Sequence, residues 1–222
     1  KVQHHYAHIL ACMAENEIER PVLGIAWDGT GYGTDGTIWG GEFLIADEQS
    51  FERFAHLRTF PLPGGERAVR EPRLSALGLL YEMSKDEVFR NLPDFLKNFR
   101  STELGILQGM LKNGRNAPRT SSVGRLFDAV SAAAGFSGYQ RFEGQAAMSL
   151  EFAIEDFKTD QSYSLEFTKW DAPVSWVIDW EPMIEAILRE IQEGESRSIV
   201  AAKFHNTLVE AAVEMARRAG FE

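Results

Sequence analysis

Three side chains near the start of the chain, His4, His8 and Asp28, are of the types and at the spacings that hold a divalent metal. On a helix over residues 3–16, His4 and His8 lie one turn apart on one face, so two imidazoles reach a single ion. His5 points elsewhere. The apolar run Val22–Trp27 reads as a buried strand that delivers Asp28 to its C-terminal end as a hard, anionic third ligand. Two histidines and one carboxylate leave coordination positions open and accept iron, zinc or manganese.

Directly after that strand, residues 28–36 contain four glycines, two threonines and two aspartates. The backbone N–H groups of Gly29, Thr30, Gly31 and Gly33 could converge there on a phosphate-like anion, with hydroxyls and carboxylates left for a metal. A plainer reading stands beside this one. A glycine cluster after a strand also makes an ordinary hairpin turn, and two histidines fall four apart by chance in some sequences.

These side chains need a folded frame, and 222 residues with 44% hydrophobic content are enough to bury one, as one large domain or two lobes. After the first strand, residues 37–46 and 51–60 read as two more strands around a polar turn, which implies an antiparallel meander. Residues 61–65 break the sheet. Residues 66–71 form a charged loop, and Pro72 opens a helix that runs to about Met83. Helical spacing then dominates to Phe157, with turn-rich joints at 113–121 and 135–142. Short strands at 163–168 and 174–178 precede helices from about Glu181 and Ser198. The fold class is therefore α/β, a mixed sheet with many helices.

The net charge of −10 argues against a nucleic-acid partner, because phosphate backbones need clustered lysine and arginine. No apolar stretch reaches the length of a membrane span, and no signal peptide is evident, so a soluble cytoplasmic protein is expected. Cys12 is the single cysteine, which excludes an internal disulfide; it reads as a buried packing thiol. Arg67 and Arg70 read as solvated loop charges that could also line a phosphate path. His56 and His205 read as structural.

Longer motifs carry a resemblance. Residues 3–8 (Gln-His-His-Tyr-Ala-His), 28–43, 60–65 with Arg70-Glu71-Pro72, 120–130 and 143–148 all resemble the hydrogenase-maturation carbamoyltransferase family, HypF, in order along the entire chain. The segment is similar to that family's carbamoyltransferase domain, itself similar to TsaD-type enzymes that make threonylcarbamoyladenosine on tRNA. The resemblance implies a partial two-lobed fold of the actin, Hsp70 and sugar-kinase type, mostly the second lobe. Residues 1–20 would be a metal-binding helix from the end of the first lobe, and 21–222 the second lobe with a helical insertion at about 72–160.

The implied reaction passes a carbamoyl group from carbamoyl-adenylate, made from ATP by another domain of the same polypeptide, to the C-terminal cysteine of a HypE-type acceptor protein. Dehydration there would give the thiocyanate from which cyanide ligands of nickel–iron hydrogenases derive. By resemblance, His4, His8 and Asp28 match the metal ligands, with magnesium also able to accompany the nucleotide. Gly29, Thr30, Gly31 and Gly33 match the phosphate-side turn. Gly124, Arg125 and Asp128 match the helix start that meets the nucleoside, with Asp128 accepting from ribose hydroxyls, and Glu143, Gly144 and Gln145 close the same wall. Without the resemblance, Asp128 would pass for a surface carboxylate of a helix. The family's further aspartate and opposing phosphate loop would follow residue 222, so weak metal and nucleotide binding is expected of these residues alone. A tRNA-modifying enzyme and a non-catalytic docking fragment are the competing readings.

Overall fold

The computed structural model describes residues 2–136, 138–155, 157–170 and 176–220. Strands β1 (Val22–Trp27), β2 (Gly41–Ala46) and β3 (Phe51–Leu57) form the antiparallel meander, with Trp27 opposite Gly41 and Val22 opposite Ala46. A register shift between Phe43 and Leu44 bends β2 where it meets β3. Next to β3 lies β7 (Trp176–Asp179) in parallel, and β6 (Glu166–Lys169) closes the far edge antiparallel to β7. The five-stranded mixed sheet thus has the order β1-β2-β3-β7-β6.

Between β3 and β7 the chain makes a long crossover, as a parallel neighbour requires. It contains α2 (Glu66–Arg70), α3 (Pro72–Ser84), α4 (Glu87–Arg90), α5 (Ser101–Asn113), α6 (Val123–Ala133) and α7 (Gln145–Ile154). Two further helices follow β7, α8 (Glu181–Glu193) and α9 (Arg197–Ala219). Leu74, Leu77, Leu126, Val130, Met183 and Phe204 from these helices join Phe43, Ala55 and Leu57 of the sheet in one large core. On the opposite face of the sheet lies α1 (His4–Glu15), whose Tyr6, Ile9 and Met13 pack on Ala26, Trp39, Leu44 and Ala46. Each such buried side chain contributes about 1.5–3 kcal/mol, which fixes the helix that bears His4 and His8. Ile9 sits so close over β1 that a side chain on Gly24 would strike it.

Several sequence expectations change. Residues 66–71 are not a loop: α2 forms there because Arg67 spans one turn to Glu71, with its Nε 2.6 Å from Oε1, and also pairs with Glu103. β3 ends at Leu57 rather than Phe60. Arg58 turns the chain by donating its N–H to Ile178 O at 2.8 Å and pairing its guanidinium with Asp179 and Glu181. Phe60 and Pro61 then form β4, paired with β5 (Arg119–Thr120) in a separate two-stranded sheet. Tyr163 precedes β6 and is buried, its hydroxyl donating to Glu190 at 2.6 Å. Val174 and Ser175, expected in a strand, lie outside the described residues. Cys12 is exposed, not buried. Among the described residues no helix is long and apolar enough to cross a membrane.

Candidate metal and nucleotide site

Asp28 follows β1, and its backbone is pinned from two sides. Its N–H donates to Gly40 O at 2.8 Å, and its carbonyl accepts from Gly124 N at 3.2 Å and from the Ser122 hydroxyl at 2.6 Å. Ser122 is also the N-cap of α6, accepting from Arg125 N at 3.2 Å, so one hydroxyl ties the helix start to Asp28. Contact between α6 and the strand end is tight. A Cβ on Gly124 would lie 2.7 Å from Gly29 Cα, so this position needs glycine.

On the side-chain level, Asp28 Oδ1 accepts from Gly29 N at 2.6 Å and Oδ2 lies 2.9 Å from His4 Nε2. His8 Nε2 is 3.3 Å from His4 Nε2. One ligand atom from each of the three residues falls within 4.8 Å of the others. Ligands bound about 2.1 Å from one ion stand roughly 3.0–3.4 Å apart, so the His4–Asp28 and His4–His8 separations fit a shared metal. Burial pushes the Asp28 carboxyl up, but the bonds from His4 and Gly29 outweigh it and hold the group below its usual range, ready as an anionic ligand.

His5 is turned away and buried, with Nδ1 3.0 Å from the Gln3 amide and its ring beside Trp39. Burial lowers its pKa, so it packs as the neutral imidazole.

The glycine loop folds back on itself. Gly33 N donates to Thr37 O at 2.9 Å and Trp39 N to Gly31 O at 2.8 Å, forming a bridge between Tyr32 and Ile38. Asp35 organises the turn by accepting from Thr37 N, the Thr37 hydroxyl and Trp39 Nε1, and by pairing with Arg53 at 2.8 Å. The loop is therefore closed as a hairpin, as the plainer reading has it. The Gly29 and Gly33 amides are used within the chain, whereas among the described residues Thr30 N and Gly31 N have no protein acceptor.

Across the Asp28–Gly29 peptide lies a buried polar group. Asp128, expected as an accessible carboxylate, is only 2% exposed, and Arg125 only 3%. Arg125 Nη1 stands 2.8 Å from Asp128 Oδ2, but out of line for a hydrogen bond, which leaves Arg125 Nε and Nη1 and Asp128 Oδ2 without an aligned partner. Buried polar atoms are rarely left so, and a ligand's hydroxyls would satisfy them. Arg125 Nη2 and Glu143 Oε1 come within 3.4 and 3.3 Å of the point where a side chain on Gly29 would start. Gly144, at φ 76°, is the N-cap of α7, and Gln145 Oε1 accepts from Arg141 N at 2.8 Å, bracing the loop that presents Glu143.

Burial pushes the Asp128 carboxyl up to about 7, against the pull of Arg125 and Gln140. The fold thus binds this proton more tightly than the unfolded chain does. The resulting stabilisation is full at low pH and is lost as pH rises from about 4 to about 7. Asp128→Asn removes that loss, so in thermal melts the variant is expected to gain several °C on the wild type between pH 4 and pH 8. Parallel pH curves would contradict the assignment.

Of the remaining candidates, Arg67 is committed to Glu71 and Glu103, whereas Arg70 is exposed and donates to the Tyr139 hydroxyl at 3.1 Å. His56 Nδ1 meets Leu57 O and His205 Nδ1 meets Ala201 O, each at 2.7 Å, as structural side chains do. Sequence reasoning missed Ser122, Gln140, Glu42 and Arg53. Ser122 had a legible signal, a serine placed before an apolar helical run.

A family model described as carbamoyltransferase, Kae1-like domain, second subdomain, matches residues 24–221. The chain belongs to the HypF carbamoyltransferase family. Carbamoyltransferase HypF of Synechocystis sp. is 41% identical over 234 residues, which span 100% of this chain and 30% of that protein. A crystal structure of full-length HypF in the phosphate- and nucleotide-bound form matches with a TM-score of 0.89 at 41% identity, over 98% of this chain and 33% of that one. HypF of T. kodakarensis matches with a TM-score of 0.81 at 31% identity, over 99% of this chain and 29% of that one. The chain therefore spans about a third of the length of these HypF proteins. Helix α1, with His4 and His8, precedes the residues that the family model matches but lies within the Synechocystis match.

Proposed function

We propose that this chain supplies the transfer site of a HypF carbamoyltransferase, at which a carbamoyl group passes from carbamoyl-adenylate to the C-terminal cysteine of a HypE-type acceptor. In that step the cysteine thiolate attacks the carbamoyl carbon, a carbon–sulfur bond forms, the bond from that carbon to the phosphate oxygen breaks, and AMP leaves. The observation that carries the reading is the meeting of two unlike sites at one peptide. The ligand atoms of His4, His8 and Asp28 lie within 4.8 Å of one another, and the buried Arg125–Asp128 pair stands across the Asp28–Gly29 bond.

His4, His8 and Asp28 would hold a divalent iron, zinc or manganese ion. When bound, such an ion supplies Lewis-acid stabilisation of charge on a phosphoryl or carbonyl oxygen. Thr30 N and Gly31 N offer hydrogen bonds to a phosphate oxygen beside it. Asp128 Oδ2 accepts from a ribose hydroxyl, Arg125 donates to the same sugar edge, and Glu143 closes the wall. This arrangement orients the nucleotide so that its phosphate points at the metal ligands. That a related full-length HypF has a phosphate- and nucleotide-bound form supports a nucleotide as ligand.

The test is the choice of acceptor. The complete polypeptide carrying this chain, given ATP and carbamoyl phosphate, is expected to place a carbamoyl group on the terminal cysteine of the acceptor protein, detected by mass spectrometry of the intact acceptor. The carbamoyl group appearing on an adenosine of tRNA, with the cysteine unmodified, would favour the TsaD-like alternative. Carbamoylation of neither would favour a docking fragment.

A further inference from the structure

Gln140 is a buried amide, 8% exposed, in the loop between α6 and α7. Its side-chain nitrogen donates to Asp128 Oδ1 at 2.7 Å and to Val69 O at 3.2 Å, and its Oε1 accepts from Ala146 N at 3.3 Å. Its own backbone N–H donates to Arg70 O at 2.8 Å. One residue thus joins α2, α6 and α7 around the carboxylate. Both amide hydrogens are spent, and both on acceptors, so the donor end of this amide can face Asp128 in only one way.

The consequence falls on Asp128. With Oδ1 held by Gln140, the carboxylate cannot rotate, and Oδ2 is the atom left beside Arg125 without an aligned partner. We propose that Gln140 is the positioning residue that presents Asp128 Oδ2 and the Arg125 guanidinium to the ribose of a bound adenosine nucleotide. The inference rests on the reading of Asp128 as a ribose acceptor given above. Gln140 touches no ligand itself; it acts by removing the rotational freedom of a group that does.

A purely structural brace and a positioning residue differ in one measurable respect. Loss of a brace weakens all ligands alike, whereas loss of orientation weakens only ligands that carry the ribose hydroxyls. Binding of ATP and of 2′,3′-dideoxy-ATP is measured by isothermal titration at pH 8 on the complete polypeptide, as wild type, Q140A, Q140M and D128A, with the ATP site of the adenylate-forming domain fitted as a second site that these variants leave unchanged. The wild type is expected to prefer ATP by about tenfold or more, the effect of hydrogen bonds to a charged acceptor. In Q140A this preference is expected to collapse toward unity while the dideoxy affinity stays the same.

Should Q140A fail to fold, Q140M keeps the length of the side chain but has no N–H to give Asp128, and the same loss of preference is expected. Equal weakening of both nucleotides, or an unchanged preference in a folded variant, overturns the proposal. If D128A keeps the wild-type preference, the ribose reading itself falls, and the role of Gln140 with it. If D128A loses the preference and Q140A retains it, only the role of Gln140 falls.

Discussion

Replacing His4 and His8 together by alanine is expected to abolish carbamoyl transfer to the acceptor cysteine while leaving carbamoyl-adenylate formation intact. Both rings project from α1 on the same side, and His4 Nε2 is within 2.9 Å of Asp28 and 3.3 Å of His8. Without them one carboxylate remains, too few donors to hold a transition metal against water. Metal stabilisation of transition-state charge is worth several kcal/mol, so the transfer rate should drop by about a thousandfold or more. Folding should be spared, because both histidines are exposed and substitutions at such positions usually change stability by no more than about 0.5 kcal/mol. Transfer measured from pre-formed carbamoyl-adenylate, with adenylate formation assayed separately, checks this. Undiminished transfer contradicts the assignment of these histidines.

The largest expected stability effect lies one strand away. Glu42 is fully buried in β2, where its carboxylate accepts from Arg53 Nε at 2.6 Å, from the Ser121 hydroxyl, and from Gly40 and Gly41 N at 3.3 and 3.4 Å. Glu42→Ala removes the buried partner of Arg53 Nε and leaves only the half-exposed Asp35 to pair a guanidinium whose side chain is 9% exposed, against the Trp39 ring. Breaking a buried pair from one side costs about 3–5 kcal/mol. Urea unfolding should show a loss toward the lower end of that range, because Asp35 still pairs with Arg53, and the double variant E42A/R53M should recover part of it by removing the half-paired buried charge. A loss below about 1 kcal/mol would show that the pair is not the anchor of this region. The effect should reach the metal site as well, since Gly40 O holds Asp28 N.

The cluster of His4, His8 and Asp28 was legible because each sits at a local period. His4 and His8 are one helical turn apart, and Asp28 directly follows an apolar strand whose ends are marked by Pro21 and the glycine loop. The same locality made the meander and helices α3, α8 and α9 readable to within a few residues. What stayed hidden depends on partners far along the chain. Helix α2 needs Glu103 to help fix Arg67, β4 needs β5, and buried Asp128 takes a hydrogen bond from Gln140, which is itself tied to Arg70 O. No spacing rule marks Gln140 or Glu42, whose roles exist only once α2, α6, α7 and the sheet have met. The nucleoside wall was reached through resemblance, since helical periodicity alone placed Asp128 at the surface.

One measurement bears most directly on the claim that His4, His8 and Asp28 form a single metal centre. Crystals of the complete polypeptide, grown with zinc or manganese and an ATP analogue, give the ion's position from anomalous diffraction at its absorption edge. One peak is expected, about 2.0–2.2 Å from His4 Nε2, His8 Nε2 and an Asp28 carboxylate oxygen, with the nucleotide phosphate on its open side. An ion bound elsewhere, or none at all while His4 stays hydrogen-bonded to Asp28, would contradict it.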